Sequence, residues 1–439
     1  MLCVIVFSLA SLGCGLAWNF SVLLFFRVLQ GIGGGGMAPS EQSILADSFP
    51  PEKRGLAFSV YGVAVVVAPA VGPALGGIIT DTLSWHWVFL INVPMGALSL
   101  ALVGMLVSEP EGTKKDRRQI LARGIRFDWP GLIFVALGLG CLEVVLDRGQ
   151  RLNWFGSDFI IVFALVSAAA LVALIVWELR REDPIVEVCL LFTRQLGTCF
   201  LLMLGVGIVL IGSTQLIPQL LQTQFGYDAT LAGLTLSPGG FLTLMVMPIA
   251  GQLSGRIQPR YLIAYGAVVL MLAMWHMTHL NGDLTFWFAA MARITMAFSL
   301  PFLFIPITAA SYENLPPQKT NQASALVNVA RNLGGSIGVS MAQTLLAQRQ
   351  QFHQSRLVEN IIPSDPGFQM AFHRASEYFV HHGRTPAEAK RQALAWVGRT
   401  IVHQTTLWSY IDTFWVLAIV AAVMVPLAFI VRRVHGQPR

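Results

Sequence analysis

Twelve stretches of about 20 mostly apolar residues, each long enough to cross the hydrocarbon core of a bilayer, leave this chain few choices of fold. They fall near residues 2–18, 21–46, 55–79, 86–107, 130–147 and 158–178, then 196–221, 230–254, 261–279, 285–310, 322–347 and 408–431. In hydrocarbon every backbone N–H and C=O must be satisfied within the chain, and stretches of this length do so as helices. The expected fold class is all-α, a polytopic membrane protein with twelve transmembrane helices present. Composition agrees: hydrophobic residues make up 55% and charged residues 12%, too little charge to cover a soluble domain. The net charge of +6 does not point to nucleic acid, because the basic residues sit in short connections between apolar stretches, where they orient the chain in the lipid bilayer. Cys3, Cys14, Cys141, Cys189 and Cys199 lie in or beside apolar stretches, so no disulfide framework is expected. Met1 opens directly into an apolar run, which argues against a cleaved signal peptide.

Charge sets the orientation. With residue 1 inside, the cytoplasmic connections carry Lys53 and Arg54, then Lys114, Lys115, Arg117, Arg118, Arg123 and Arg126. Arg180, Arg181, Arg194, Arg256, Arg260, Lys319, Arg432 and Arg433 follow, whereas the short external connections carry only Arg148 and Arg151. Both termini are therefore expected in the cytoplasm. Residues 348–407 are polar and basic, and this topology puts them outside. Within them Phe368–His382 reads as a helix stopped by Gly383, and Thr385-Pro386-Ala387-Glu388 as a capping box opening a second helix. His353, His373, His381, His382 and His403 lack ordered ligand spacing and are read as a solvated face, with no metal site.

Two motifs stand out within the spans. The second span contains Arg27-Val28-Leu29-Gln30-Gly31-Ile32-Gly33-Gly34-Gly35-Gly36. A guanidinium at membrane depth costs at least a few kcal/mol unless it is paired or hydrated, so Arg27 should face a cavity or the bundle interior, with Gln30 on the same helix face. A structural arginine satisfied by backbone carbonyls is the alternative to a place on a polar path. The third span carries Pro69 and then Gly72-Pro73-Ala74-Leu75-Gly76-Gly77. Such a helix is thin and bent, suited to sealing two packed bundles, although a packing kink alone would look the same.

The pair Arg-x-x-Gln-Gly and Gly-Pro-x-x-Gly-Gly on consecutive spans resembles the fourth and fifth helices of major facilitator drug:proton antiporters. Trp87-Val88-Phe89-Leu90-Ile91-Asn92-Val93-Pro94, Leu146-Asp147-Arg148-Gly149, Asn153-Trp154-Phe155 and Arg331-Asn332-Leu333-Gly334-Gly335-Ser336-Ile337-Gly338 resemble the fourteen-span EmrB/QacA branch. The resemblance covers essentially the whole chain. It implies multidrug efflux of hydrophobic compounds in exchange for protons, across the bacterial cytoplasmic (inner) membrane. It also implies assembly with an EmrA-like periplasmic adaptor and an outer-membrane channel.

By the same resemblance Met1 falls at the third helix of the family, so the first two spans are expected to be missing, with the acid the family commonly places there. Ala68 and Ser59 stand where glycines are usual, and Gly251-Gln252-Leu253-Ser254-Gly255-Arg256 resembles a weakened loop motif. The implied organisation is an incomplete four-span bundle over 1–107, a basic connection with two inserted spans over 108–194, and a six-helix bundle over 195–439 with the external helical segment 348–407. Two other readings stay open: a truncated, transport-defective membrane remnant that inserts and binds its partner, and an exporter of a specific metabolite or siderophore.

Polar residues within spans complete the candidates: Glu41, Glu143, Arg293, Arg331, Gln215, Gln219 and Asn328. Gln215 and Gln219 lie one turn apart on a helix that lines the cavity in the family. With Arg27, Gln30, Asn328 and Arg331 they are the expected contacts along the path; Glu41 and Glu143 are the candidates for proton coupling. Glu41 follows Pro39 near the cytoplasmic end, where solvation accounts for it as well, and Glu143 sits on an inserted span with a lateral role expected. No phosphate-cradling loop, His-Glu-x-x-His or nucleophile elbow with its partners is present, so neither an enzyme nor a cofactor is expected.

The orientation is testable by cysteine labelling. Ser364→Cys should react with an impermeant thiol reagent from outside and Ser108→Cys only from inside; reversed labelling would overturn the orientation.

Overall fold

The computed structural model describes residues 1–106, 128–181, 187–282, 284–313, 315–316, 319–359 and 364–432. Most of the basic connection, 107–127, lies outside the described residues. The described residues form helices and connections with no strand. In chain order they are α1 (Leu2–Gly15), α2 (Phe20–Gly35), α3 (Met37–Ser48), α4 (Pro51–Thr82), α5 (Trp87–Leu90) and α6 (Asn92–Leu106). There follow α7 (Trp129–Arg148), α8 (Asp158–Glu178), α9 (Val188–Leu191), α10 (Arg194–Gln224), α11 (Ala229–Leu234) and α12 (Ser237–Ser254). The last five are α13 (Pro259–Met277), α14 (Phe286–Ser311), α15 (Thr320–Glu359), α16 (Pro366–His381) and α17 (Pro386–Ile430).

Helices occupy all twelve predicted stretches. Among the described residues nine are long and apolar enough to cross a membrane by length and composition, and the other three stretches fall on α1, α4 and α15. Three stretches are each built from two helices, and a proline explains every break. Pro39, Pro94 and Pro238 have no N–H for the carbonyl four residues back, so the chain turns just before them, at Gly36, Ile91 and Thr235–Leu236. Five prolines further along, Pro218 in α10, Pro248 in α12, Pro301 and Pro306 in α14 and Pro426 in α17, are carried inside unbroken helices. Neighbouring helices make this tolerable.

The apolar core is built by the second part of the chain. Every buried residue of the main cluster lies between Leu190 and Val431, except Phe58 of α4. α10 packs on α15, α13 on α14 and α17, and α15 on α17. Glycines explain the closeness of the first pair. A Cβ at Gly334 would collide with the Leu204 carbonyl, one at Gly338 with the Ile208 carbonyl, and one at Gly207 with the Arg331 carbonyl. The glycine run after Arg331 is thus a backbone-on-backbone seam, as small residues permit in lipid. α1 packs on α2 and α6, whereas α4 packs on α12 and α14 of the second bundle, with Gly62 against Met247. α7 and α8 form a separate pair, joined where Gly138 meets Leu171 and the Ser167 hydroxyl donates to the Gly138 carbonyl at 2.7 Å.

Residues 348–407 depart from the reading of a self-contained polar segment. α15 continues unbroken to Glu359, and α17 begins at Pro386 and runs straight into the last span. α16 lies against α17, and Gly383 turns the chain between them at φ 82°. The capping box is complete: Glu388 N–H donates to Thr385 Oγ1 at 3.4 Å and Thr385 N–H to Glu388 Oε2 at 3.2 Å. The Thr385 hydroxyl, then its N–H, hold the Glu388 carboxyl below its ordinary range. Because α15 extends beyond residue 347, His353 is not on a solvated face: its Nε2 lies 2.8 Å from Asp412 Oδ2 of α17, which Arg349 also contacts at 3.2 Å. His403 likewise turns inward, 3.1 Å from the Gln224 carbonyl.

The seam makes a paired prediction. Gly334→Ala forces α10 and α15 apart and should cost about 1–3 kcal/mol of overpacking. Gly398→Ala, where nothing lies within 4 Å, should be neutral or stabilise by up to about 1 kcal/mol. Thermal unfolding in detergent distinguishes them; equal midpoints would refute the seam.

Candidate functional site

The polar residues of the spans fall into three groups. The first lies within the opening helices. Arg27 sits one turn before Gln30 on α2; its Nη1 donates to Gln30 Oε1 at 3.1 Å, and Gln30 Nε2 donates to Ser11 Oγ of α1 at 2.6 Å. The guanidinium lies over the Phe89 ring of α5, 5.0 Å from its centroid. Gln30 is buried and Arg27 exposed, so the amide anchors a cation that the bundle leaves reachable. Ser11 and Phe89 were not among the sequence candidates.

The second group joins α3 to the second bundle. Gln42 is 1% exposed, and its Oε1 accepts from Ser324 Oγ at 2.9 Å, from Asn328 Nδ2 at 2.9 Å and from Tyr312 OH at 3.4 Å. Phe58 of α4 stacks on Tyr312 with centroids 5.6 Å apart and planes within 6°. One turn on from Asn328, Arg331 reaches over the Phe304 ring of α14 at 6.0 Å, and Tyr61 of α4 stacks on that ring at 6.3 Å. Asn328 and Arg331 are thus brought together, with Gln42 as the residue that the sequence reading passed over. Its signal was the run Ser40-Glu41-Gln42-Ser43 inside an apolar stretch. The neighbouring acid drew notice, yet Glu41 is exposed while Gln42 is the buried one.

The third group surrounds a cavity of about 270 Å³ between α7, α10 and α15. Gln215, Gln219 and Glu143 all line it. Gln219 Oε1 accepts from Gln343 Nε2 at 2.8 Å. Arg293, deep in α14 and 3% exposed, stands apart: its Nη1 donates to Thr214 Oγ1 at 2.9 Å and contacts Met296 Sδ at 3.7 Å.

The glycine-proline motif lies within α4. Gly72 and Gly76 have no atom within 4 Å of where a Cβ would stand, so the helix makes no close approach there in this structure. Pro69, Pro73 and Gly77 belong to the same helix.

Comparison with known proteins accords with this architecture. The model of the Major Facilitator Superfamily matches residues 1–339. The chain is 33% identical over 433 residues to the multidrug export protein EmrB of Escherichia coli (strain K12), covering 98% of this chain and 81% of that protein. It is 35% identical over 387 residues to EmrB of Haemophilus influenzae, covering 88% and 74%. Among solved structures, the proton:xylose symporter XylE bound to 6-bromo-6-deoxy-D-glucose superposes with a TM-score of 0.54 at 14% identity, over 99% of this chain and 80% of that one, a likeness of fold. The family match and the one-third identity to EmrB over nearly the whole chain show that this chain belongs to the Major Facilitator Superfamily and is a multi-pass membrane transporter of small molecules, not an enzyme.

Proposed function

We propose that this chain exports hydrophobic compounds from the cell in exchange for protons, as the inner-membrane part of a three-part export system. The observation that carries the reading is the Gln42 contact, where α3 meets α15 and the end of α14 through neutral hydrogen bonds beside the Phe58–Tyr312 stack. Each such bond contributes only about 0.5–1.5 kcal/mol net. A junction of that strength can open and re-form in each cycle of alternating access.

With both termini in the cytoplasm, Gln42, Phe58 and Tyr312 close the inner end of the path, and Gly72 and Gly76 lie toward an open outer end. Arg27, Gln30, Asn328, Arg331, Gln215 and Gln219 supply the few polar groups of an otherwise apolar lining, which suits bulky lipophilic substrates. Glu41 and Glu143 are the carboxylates assigned to proton coupling; Glu41 is preferred because it adjoins Gln42. The external hairpin of α16 and α17 is the surface for an EmrA-like periplasmic adaptor, which in turn meets an outer-membrane channel. The names of the relatives, multidrug export proteins, support the drug-export reading.

Two variants test it by dye efflux from energised cells. Arg27→Lys cannot reproduce the planar donor set on Gln30 and Phe89, so efflux should fall roughly tenfold at unchanged membrane abundance. Gly76→Leu should also leave abundance unchanged, since its surroundings are open here, yet block export because the path cannot seal in the opposite state. Full efflux in both, or efflux insensitive to collapse of the proton gradient, would refute the reading.

A further inference from the structure

We propose that Glu143 is the anionic anchor of a side pocket that binds the cationic end of an amphipathic molecule. The proposal rests on the transporter reading only for its purpose; the site itself is argued from geometry. α7 is fastened to α8 along the face that carries Gly138. Glu143 follows five residues later, about 140° around the helix, and so faces away from α8. There it lines the 270 Å³ cavity that α7 shares with α10 and α15.

A carboxylate within an apolar span is costly unless something compensates it. Among the described residues Glu143 has no ion-pair partner. The residues that line the cavity include two carboxylates, Glu143 and Asp147, and one cation, Arg151, so the lining carries one net negative charge; Arg148, 3.7 Å from Asp147, is outside the lining. The opposite wall is equally unfinished. Ser340 is 6% exposed, lines the cavity, and its Oγ has no hydrogen-bond partner. Gln215 adds a further amide.

Charge and size define the occupant. One unpaired carboxylate with amide and hydroxyl groups around it selects a monovalent cation that donates hydrogen bonds, such as an ammonium or a cationic ring that carries amino groups. The volume falls just below the range of about 300–1,000 Å³ that holds a whole drug-sized ligand, so the pocket takes the charged end and leaves the apolar remainder outside. α7 then contributes a recognition surface that shares Gln215 and Gln219 with the proposed path.

Binding to the purified full chain in detergent, without any proton gradient, separates this site from the transport reading. Ethidium serves as the cationic probe and Nile red as the neutral one, both read by fluorescence. Glu143→Gln should weaken ethidium at least tenfold and change Nile red by less than twofold; Glu143→Asp should stay within about threefold of the parent for both. Ethidium affinity unchanged in Glu143→Gln would overturn the proposal. If that variant fails to fold, the unaltered chain still decides: ethidium, but not Nile red, should slow carbodiimide modification of Glu143 as read by peptide mass spectrometry, and equal rates would overturn it. A chain that binds through Glu143 but exports nothing contradicts the transport reading and leaves this site standing.

Discussion

In hydrocarbon, apolar side chains gain nothing by meeting one another, so helices are held by close packing and by hydrogen bonds that have no water to turn to. Both devices are present here, in different places and with different consequences. The seam of α10 and α15 is close packing: Gly207, Gly334 and Gly338 let carbonyls of one helix rest where the other has no side chain. That contact leaves no slack, and the rest of the second bundle is assembled around it. The contact at Gln42 is the other kind. One amide oxygen takes donors from Ser324, Asn328 and Tyr312, next to the stack of Phe58 on Tyr312.

That difference decides which contact can move. Separating α10 from α15 would open a void that nothing fills, whereas the donors around Gln42 can be solvated once water enters. α4 bridges the two regimes. Near its start Phe58 and Tyr61 stack on Tyr312 and Phe304, and Gly62 abuts Met247, while farther on Gly72 and Gly76 stand clear of any neighbour. A single helix that is tight at one end and free at the other is compatible with the rocking about a central site by which such transporters alternate access.

Much of the fold was legible because its causes are local. Apolar runs located the helices, and the Thr385 capping box was readable because all of its parts lie within four residues. Pairings between distant helices were not. Arg27 and Gln30 could be matched by their spacing, but Gln42 finds its partners some 280 residues away, and no periodicity announces that. The same holds for His353 and Asp412, whose contact depends on α15 extending past the end that hydropathy assigns. Glu143 was legible as an oddity, a carboxylate in an apolar span, but its company with Gln215 and Gln219 was not. A solvated face was the expectation for His353 because polarity alone cannot show which side of a helix extension has a neighbour.

The most direct test of the account is to tie the Gln42 junction shut. In a chain carrying Gln42→Cys and Ser324→Cys, with the five native cysteines replaced, a short bifunctional methanethiosulfonate reagent should join α3 to α15. The account predicts that efflux disappears on cross-linking and returns on reduction, with either single cysteine unaffected by the reagent. A cross-linked chain that still exports would contradict it, because the junction would then not need to open.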